Sequence, residues 1–139
     1  MLPMFKSEET ITGKKLSIRF LDGASDSLQA VLDKHGNEKK HQKWLATLSA
    51  ALCTFAEQGN VTCPMKVSVA GVIPKSGGTA ANKLSKKRKN LRLYGWYSDK
   101  YPKVFIVSHF AWKLTEKTSK KDLNILSTNW NRVEGEENE

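Results

Sequence analysis

Cysteine is scarce in this chain of 139 residues, with Cys53 and Cys63 as the only two. Neither belongs to a CxxC pair or stands beside His35, His41 or His109 in sequence, so a metal site would need other ligands. Both read as reduced thiols, and Cys53, inside an apolar helical pattern, is expected to be a small buried hydrophobe. Long hydrophobic runs are also missing. No segment approaches the length that spans a bilayer, and the opening MLPMFKSEETITGKK has no apolar stretch of signal-peptide length. A cytosolic protein without a membrane partner is the expectation. The third absence is of acid: no Asp or Glu occurs between Glu57 and Asp99, a window with eight basic residues, Lys66, Lys75, Lys83, Lys86, Lys87, Arg88, Lys89 and Arg92. With a formal net charge of +9, this cationic field favours a polyanion, nucleic acid or the ribosome, over a small neutral metabolite. A solvated surface loop is the alternative.

Hydrophobic residues make up 39% of the chain, enough for one domain over 1–139 with a modest core. Leu16 to Leu21 (LSIRFL) is a short apolar run suited to a strand and ends at the Asp22-Gly23 turn signal. Leu28, Val31 and Leu32 then follow helical spacing. Gly36-Asn37 supplies a stop and an N-cap for a second helix, whose stripe is Trp44, Leu45, Leu48, Leu52, Phe55 and Ala56. Met65 to Ile73 alternates weakly and reads as an edge or second strand. The next stretch, about 74–90, is rich in Gly, Ser, Ala and Lys without periodic apolar residues, so a flexible basic loop is expected there. It either closes over a ligand or is an insertion without a role. His35 and His41 fall at helix ends, where an end contact or exposure is the favoured reading.

Strand alternation gives the segment LRLYGWYSDKYPKVFIVSHFAWK a finer reading as a β-hairpin. With Asp99 to Pro102 as the turn, Ser98 faces Lys103. One face then carries Leu91, Leu93, Gly95 and Tyr97 and packs on the helices. The other pairs Arg88 with Lys113, Arg92 with His109, Tyr94 with Val107 and Trp96 with Phe105. Like charges directly opposite are unfavourable unless an anion lies between them, so this cluster reads as a phosphate site. A slip of one residue would dissolve it. Ser119 and Asp122 then have capping-box spacing, and Leu123, Leu126, Trp130 and Val133 continue as the stripe of a C-terminal helix. The acidic tail 134–139 is expected to fray.

A strand-turn-strand ending in His109 and Phe110, then Lys113, then Lys117-Thr118-Ser119-Lys120-Lys121-Asp122-Leu123, resembles the RelE/HigB-type toxins, bacterial ribosome-dependent mRNA endonucleases. The likeness covers about the last fifty residues by motif and the earlier part by the order strand, helix, helix. Trp112 stands where the family motif more often has Lys, one residue is inserted between Lys113 and Thr118, and the basic stretch before Leu91 is long. The resemblance implies an α+β fold, a small antiparallel sheet with an N-terminal helical hairpin and a C-terminal helix.

It also implies a chemistry: metal-free and cofactor-free attack of a ribose 2′-OH on the adjacent phosphate, which needs a base, an acid and cations around the developing charge. His109 is expected to transfer protons, because imidazole is the side chain whose ordinary titration lies nearest neutrality. Arg92 and Arg88 would stabilise the phosphorane, and Lys113 would share that task or donate a proton. Tyr94 or Trp96 would stack on a splayed base, core packing being the alternative for both. Lys86, Lys87, Lys89, Lys117, Lys120 and Lys121 would contact RNA. The implied partners are mRNA, the ribosome and a cognate antitoxin, acidic or DNA-binding. The competing class is a noncatalytic RNA- or DNA-binding module gripping phosphates with the same face; Ser25 to Gln58 as a helix-turn-helix is a weaker form of it.

Overall fold

The computed structural model describes residues 10–35, 38–59, 65–86, 91–113 and 117–135. In chain order the elements are β1 (Thr10–Thr12), β2 (Ser17–Phe20), α1 (Ala24–His35), α2 (Glu38–Gln58), β3 (Met65–Val72), β4 (Ala80–Lys86), β5 (Leu91–Tyr97), β6 (Val104–Trp112) and α3 (Lys120–Glu134). The strands form one six-stranded sheet in the order β1-β2-β6-β5-β4-β3. The fold is therefore α+β with the two expected helices after β2 and the C-terminal helix, but the sheet is mixed rather than antiparallel. β2 runs parallel to β6, with Ile18 opposite Phe105 and Phe20 opposite Val107, while every other pairing is antiparallel. The two helices after β2 carry the chain away from the sheet, so β2 acquires its second neighbour only from the far end of the chain.

Each face of the sheet is covered. One carries Ile18, Phe20, Leu84, Leu91, Leu93, Phe105, Val107 and Phe110 against Leu28 of α1 and Leu48, Leu52, Phe55 and Ala56 of α2. The other carries Ala81, Tyr94, Trp96 and Ile106 against Leu126, with Leu123, Trp130 and Val133 of α3 packed alongside. A fully buried large apolar side chain contributes about 1.5–3 kcal/mol, and both layers are built from them. The α2 stripe holds from Leu48 to Ala56; the side chains of Trp44 and Leu45 lie outside the described set, as does the junction Gly36-Asn37.

Cys53 corrects its expectation: it is exposed. Ala46, Ala50, Cys53 and Glu57 recur at helical spacing along the solvent side of α2, and all four are exposed. Residues 74–90 also differ from the expected loop. Pro74 to Thr79 make a hairpin turn closed by Ile73 N–H donating to Thr79 O (2.9 Å), with positive φ at Lys75, Gly77 and Gly78. Ala80–Lys86 is strand β4, with Ala81 to Ser85 all buried. Lys83 and Ser85 face α3 in a strand buried on both sides, a polar composition that hides the strand period. Lys87, Arg88 and Lys89 lie outside the described residues, as do Cys63 and the tail from 136 onward. Glu134 belongs to α3 and is hydrogen-bonded, while Gly135 is buried at its C-cap.

The hairpin register is the main correction. The turn is one residue longer than expected, because Ser98 N–H donates to Val104 O (2.9 Å) and Lys103 adopts φ 60° at its end. Tyr97 consequently faces Phe105 and Trp96 faces Ile106. A bulge between Tyr94 and Gly95 adds a second shift, so Tyr94 faces His109, Leu93 faces Phe110 and Arg92 faces Ala111. Gly95 belongs at this bulge for a steric reason: a Cβ there would lie 2.1 Å from Ile106 O. The expected Arg92–His109 cross-strand pair does not form.

Candidate functional site

His109, on the interior strand β6 beyond its pairing with β2, lies beside the N-terminus of α3, where the capping box assembles a compact polar cluster. Ser119 caps α3 by accepting from Asp122 N–H (3.1 Å), and its own hydroxyl donates back to Asp122 Oδ2 (2.8 Å). The same carboxylate accepts from His109 Nε2 (3.0 Å) on Oδ1 and from Lys113 Nζ (2.8 Å) on Oδ2. His109 and Asp122 are both buried, and the Lys113 side chain keeps 13% of its surface exposed. Burial alone would raise the Asp122 pKa. The hydrogen bonds from His109, Lys113 and Ser119, with the electrostatic pull of the imidazole, outweigh it and hold the carboxyl well below its ordinary range.

Polar contacts continue from His109 to the third turn of α3 and beyond. Arg132 donates through NH2 to Asp22 (2.7 Å) and through NH1 to Asn129 Oδ1 (3.3 Å). Asn129 Nδ2 donates to Ser108 Oγ (2.8 Å), which lies 2.9 Å from His109 Nδ1. One direction is fixed by the ionised acceptor: Nε2–H donates to Asp122 Oδ1, while the Ser108 hydroxyl accepts from Asn129 and either donates to Nδ1 or accepts from it according to the ring's protonation. Tyr94 lies against the ring, stacked at 5.2 Å between centroids and 24° between planes.

The cluster lines one side of a cleft of about 620 Å³ between α1, the end of β6 and the start of α3. Lys34 and Lys121 stand on its rim with Lys113 below, and Trp112 forms part of the wall. Ser27 ties α1 to this wall, accepting from Phe110 N–H through its hydroxyl (2.9 Å).

The structure thus brings His109 and Lys113 together with the N-terminal turn of α3, where Lys120 and Lys121 are exposed and Lys117 is exposed just before it. Arg92 sits elsewhere, buried between β4 and β6 on the α3 side of the sheet. Tyr94 and Trp96 are 1% and 0% exposed, which corrects their assignment as base-stacking platforms. The Trp96 indole N–H donates to Glu134 (2.8 Å) instead. The Lys86 side chain, like Lys87, Arg88 and Lys89, is outside the described set. Sequence reasoning placed Asp122 only as a cap and passed over Ser108 and Asn129. The available signal was helical spacing, since 122 and 129 fall on one face of a helix whose N-terminus follows a strand ending near His109.

Among the described residues no group of three or more His, Cys, Asp or Glu could hold a metal ion, and no helix is long and apolar enough to cross a membrane. No protein-family model, curated protein or solved structure matches the chain.

Proposed function

We propose that this chain is an endoribonuclease of the RelE/HigB toxin type, cutting mRNA on the translating ribosome and so halting translation, with the cleft at His109 as its site. The observation that carries the reading is the convergence of His109, Lys113 and Asp122 on the wall of an open cleft with lysines at its rim. The order of strand, two helices, hairpin and capped helix supports it, as does the net charge of +9.

In this reading the 2′-OH of a bound nucleotide attacks its own 3′-phosphate. The 5′-oxygen of the next nucleotide leaves, giving a 2′,3′-cyclic phosphate and a free 5′-OH. The substrate hydroxyl takes the place of the Ser108 hydroxyl at His109 Nδ1 and gives up its proton there. Asp122, already holding Nε2–H, stabilises the imidazolium that results, the role a carboxylate plays behind any histidine base. Lys113 and Lys121 offer positive charge to the phosphorane, and the Lys113 ammonium gives the departing 5′-oxygen its proton. Arg92 has no part in the reaction.

A second reading, a noncatalytic RNA-binding module, draws on one observation: both ring nitrogens of His109 are engaged and Tyr94 covers a ring face. Primer extension on a reporter mRNA in a bacterial translation extract separates the two. The nuclease reading expects discrete cuts by the wild type that require translating ribosomes, and a loss of about 100-fold or more in His109→Ala or Lys113→Ala. A soluble wild type that binds RNA and never cuts it sinks the nuclease.

A further inference from the structure

A second cleft, of about 380 Å³, lies on the far side of the Arg132–Asp22 ion pair, between β2, the β5–β6 turn and the last turn of α3. We propose that it binds one nucleotide of single-stranded RNA, with the phosphate on Arg19 and Lys100 and the base against Tyr101. The proposal rests on the RNA reading above and extends it to a subsite outside the His109 cleft.

Three features carry it. The first is charge. Arg19, Lys100 and Arg132 line the cleft against a single carboxylate, Asp22, and Arg132 already pairs with that carboxylate at 2.7 Å. Arg19 stands on β2 opposite Ile106, and among the described residues nothing hydrogen-bonds or pairs with its guanidinium, so its fork is available to a phosphate.

The second feature is an exposed aromatic on a fixed turn. Tyr101 keeps 39% of its surface in solvent, unlike Tyr94 and Trp96. Its backbone N–H donates to Ser98 Oγ (2.9 Å), and the neighbouring Lys100 N–H donates to Glu134 Oε1 (2.8 Å). Glu134 also receives the Trp96 indole, so one carboxylate at the end of α3 clamps the turn to the core. Lys100 Nζ lies 5.9 Å from the centre of the Tyr101 ring, which places a cation beside the surface on which a base would stack.

The third is continuity. Asp22 borders both clefts, so a strand entering one can cross the ion pair into the other. The apolar floor, Leu21, Ile106 and Val133, and a volume within the range of small-ligand sites suit a single base.

The test is fluorescence anisotropy of the full chain with a labelled single-stranded oligouridylate across a series of salt concentrations. Arg19→Gln with Lys100→Gln should weaken binding about tenfold or more and flatten the log affinity against log salt slope by about 0.7, the loss of one phosphate contact on a single strand. Tyr101→Ala should weaken it about tenfold with the slope unchanged, and Tyr101→Phe should bind as the wild type does. A duplex RNA of equal length should be indifferent to Tyr101. These side chains make none of the turn's hydrogen bonds, and thermal melts matching the wild type verify the fold of each variant. Unchanged affinity and slope in all of them overturns the subsite while the RNA reading stands. RNA bound with the expected dependences but never cut supports the subsite and sinks the nuclease. A wild type that binds no RNA overturns both.

Discussion

Replacing Asp122 with alanine tests the polar cluster most directly, because one carboxylate accepts from His109 (3.0 Å), Lys113 (2.8 Å) and Ser119 (2.8 Å). Removing one partner of a buried ion pair costs about 3–5 kcal/mol, chiefly because the other charge is left without compensation. The Lys113 side chain retains 13% exposure and so a path to water, which places the loss at the low end, about 3 kcal/mol. An acid in the first turn of a helix adds about 0.3–1 kcal/mol through the helix dipole. With a urea dependence of about 2 kcal/mol per molar, the unfolding midpoint should fall by roughly 1.5–2 M. Adding Lys113→Met removes the ammonium as well and should recover part of the loss. A drop under about 1 kcal/mol, or no recovery in the double variant, would refute the account of a carboxylate holding two buried bases. The pH dependence carries a sign of its own. The folded pKa of Asp122 is depressed, so over the acid range the unfolded chain binds the extra proton and stability rises with pH. The contribution is complete above the ordinary Asp value of about 3.9 and is lost as pH falls from there toward the depressed folded value. Asp122→Asn should remove that part of the acid slope.

Gly95→Ala should abolish or severely impair folding, since the new Cβ would meet Ile106 O at 2.1 Å and the Phe105 ring at 2.8 Å; circular dichroism melts of the purified variant check it. Trp96→Phe keeps the ring in the core but removes the indole donor to Glu134, for a loss of about 1–2 kcal/mol in urea unfolding with no change in the salt dependence of RNA binding. Burial raises the Tyr97 pKa, so this tyrosine should ionise above the ordinary tyrosine value in a spectrophotometric titration. Its contribution to stability, present below the ordinary tyrosine value, should fade as pH rises through the raised one, and Tyr97→Phe should remove that alkaline slope.

Periodicity made the helices and four of the strands readable: the α2 stripe from Leu48 to Ala56, the α3 stripe from Leu123 to Val133, the run at β2, the weak alternation at β3, and both hairpin strands. The Ser119–Asp122 spacing located the start of α3 to the residue. β4 was hidden because Lys83 and Ser85 are buried polar residues on a strand covered from both sides, where an apolar period is absent. β1, three residues long, carries too few positions to show one. Register lay beyond sequence for two local reasons. Lys103 at φ 60° lengthens the turn by one residue where no Gly or Asn advertises it, and the bulge at Tyr94–Gly95 shifts the remainder. Both faults fell on the candidate site. His109 and Lys113 do meet, but through Asp122 of the following helix, while Arg92 and the two aromatics go to positions that the assumed pairing could not foresee.

The parallel union of β2 with β6 also dictates when this protein can exist during its own synthesis. β2 emerges from the ribosome early and meets β1 at once, yet the strand on its other side is the last of the six to be made. Until β6 is out, Ile18 and Phe20 have only the three-residue β1 beside them, and closing the contact with β6 means ordering almost the entire intervening chain. A nascent chain arrested before Val104 would hold its apolar N-terminal strand open to other partners, whereas release of the final segment would complete the sheet and raise the cleft wall in the same step.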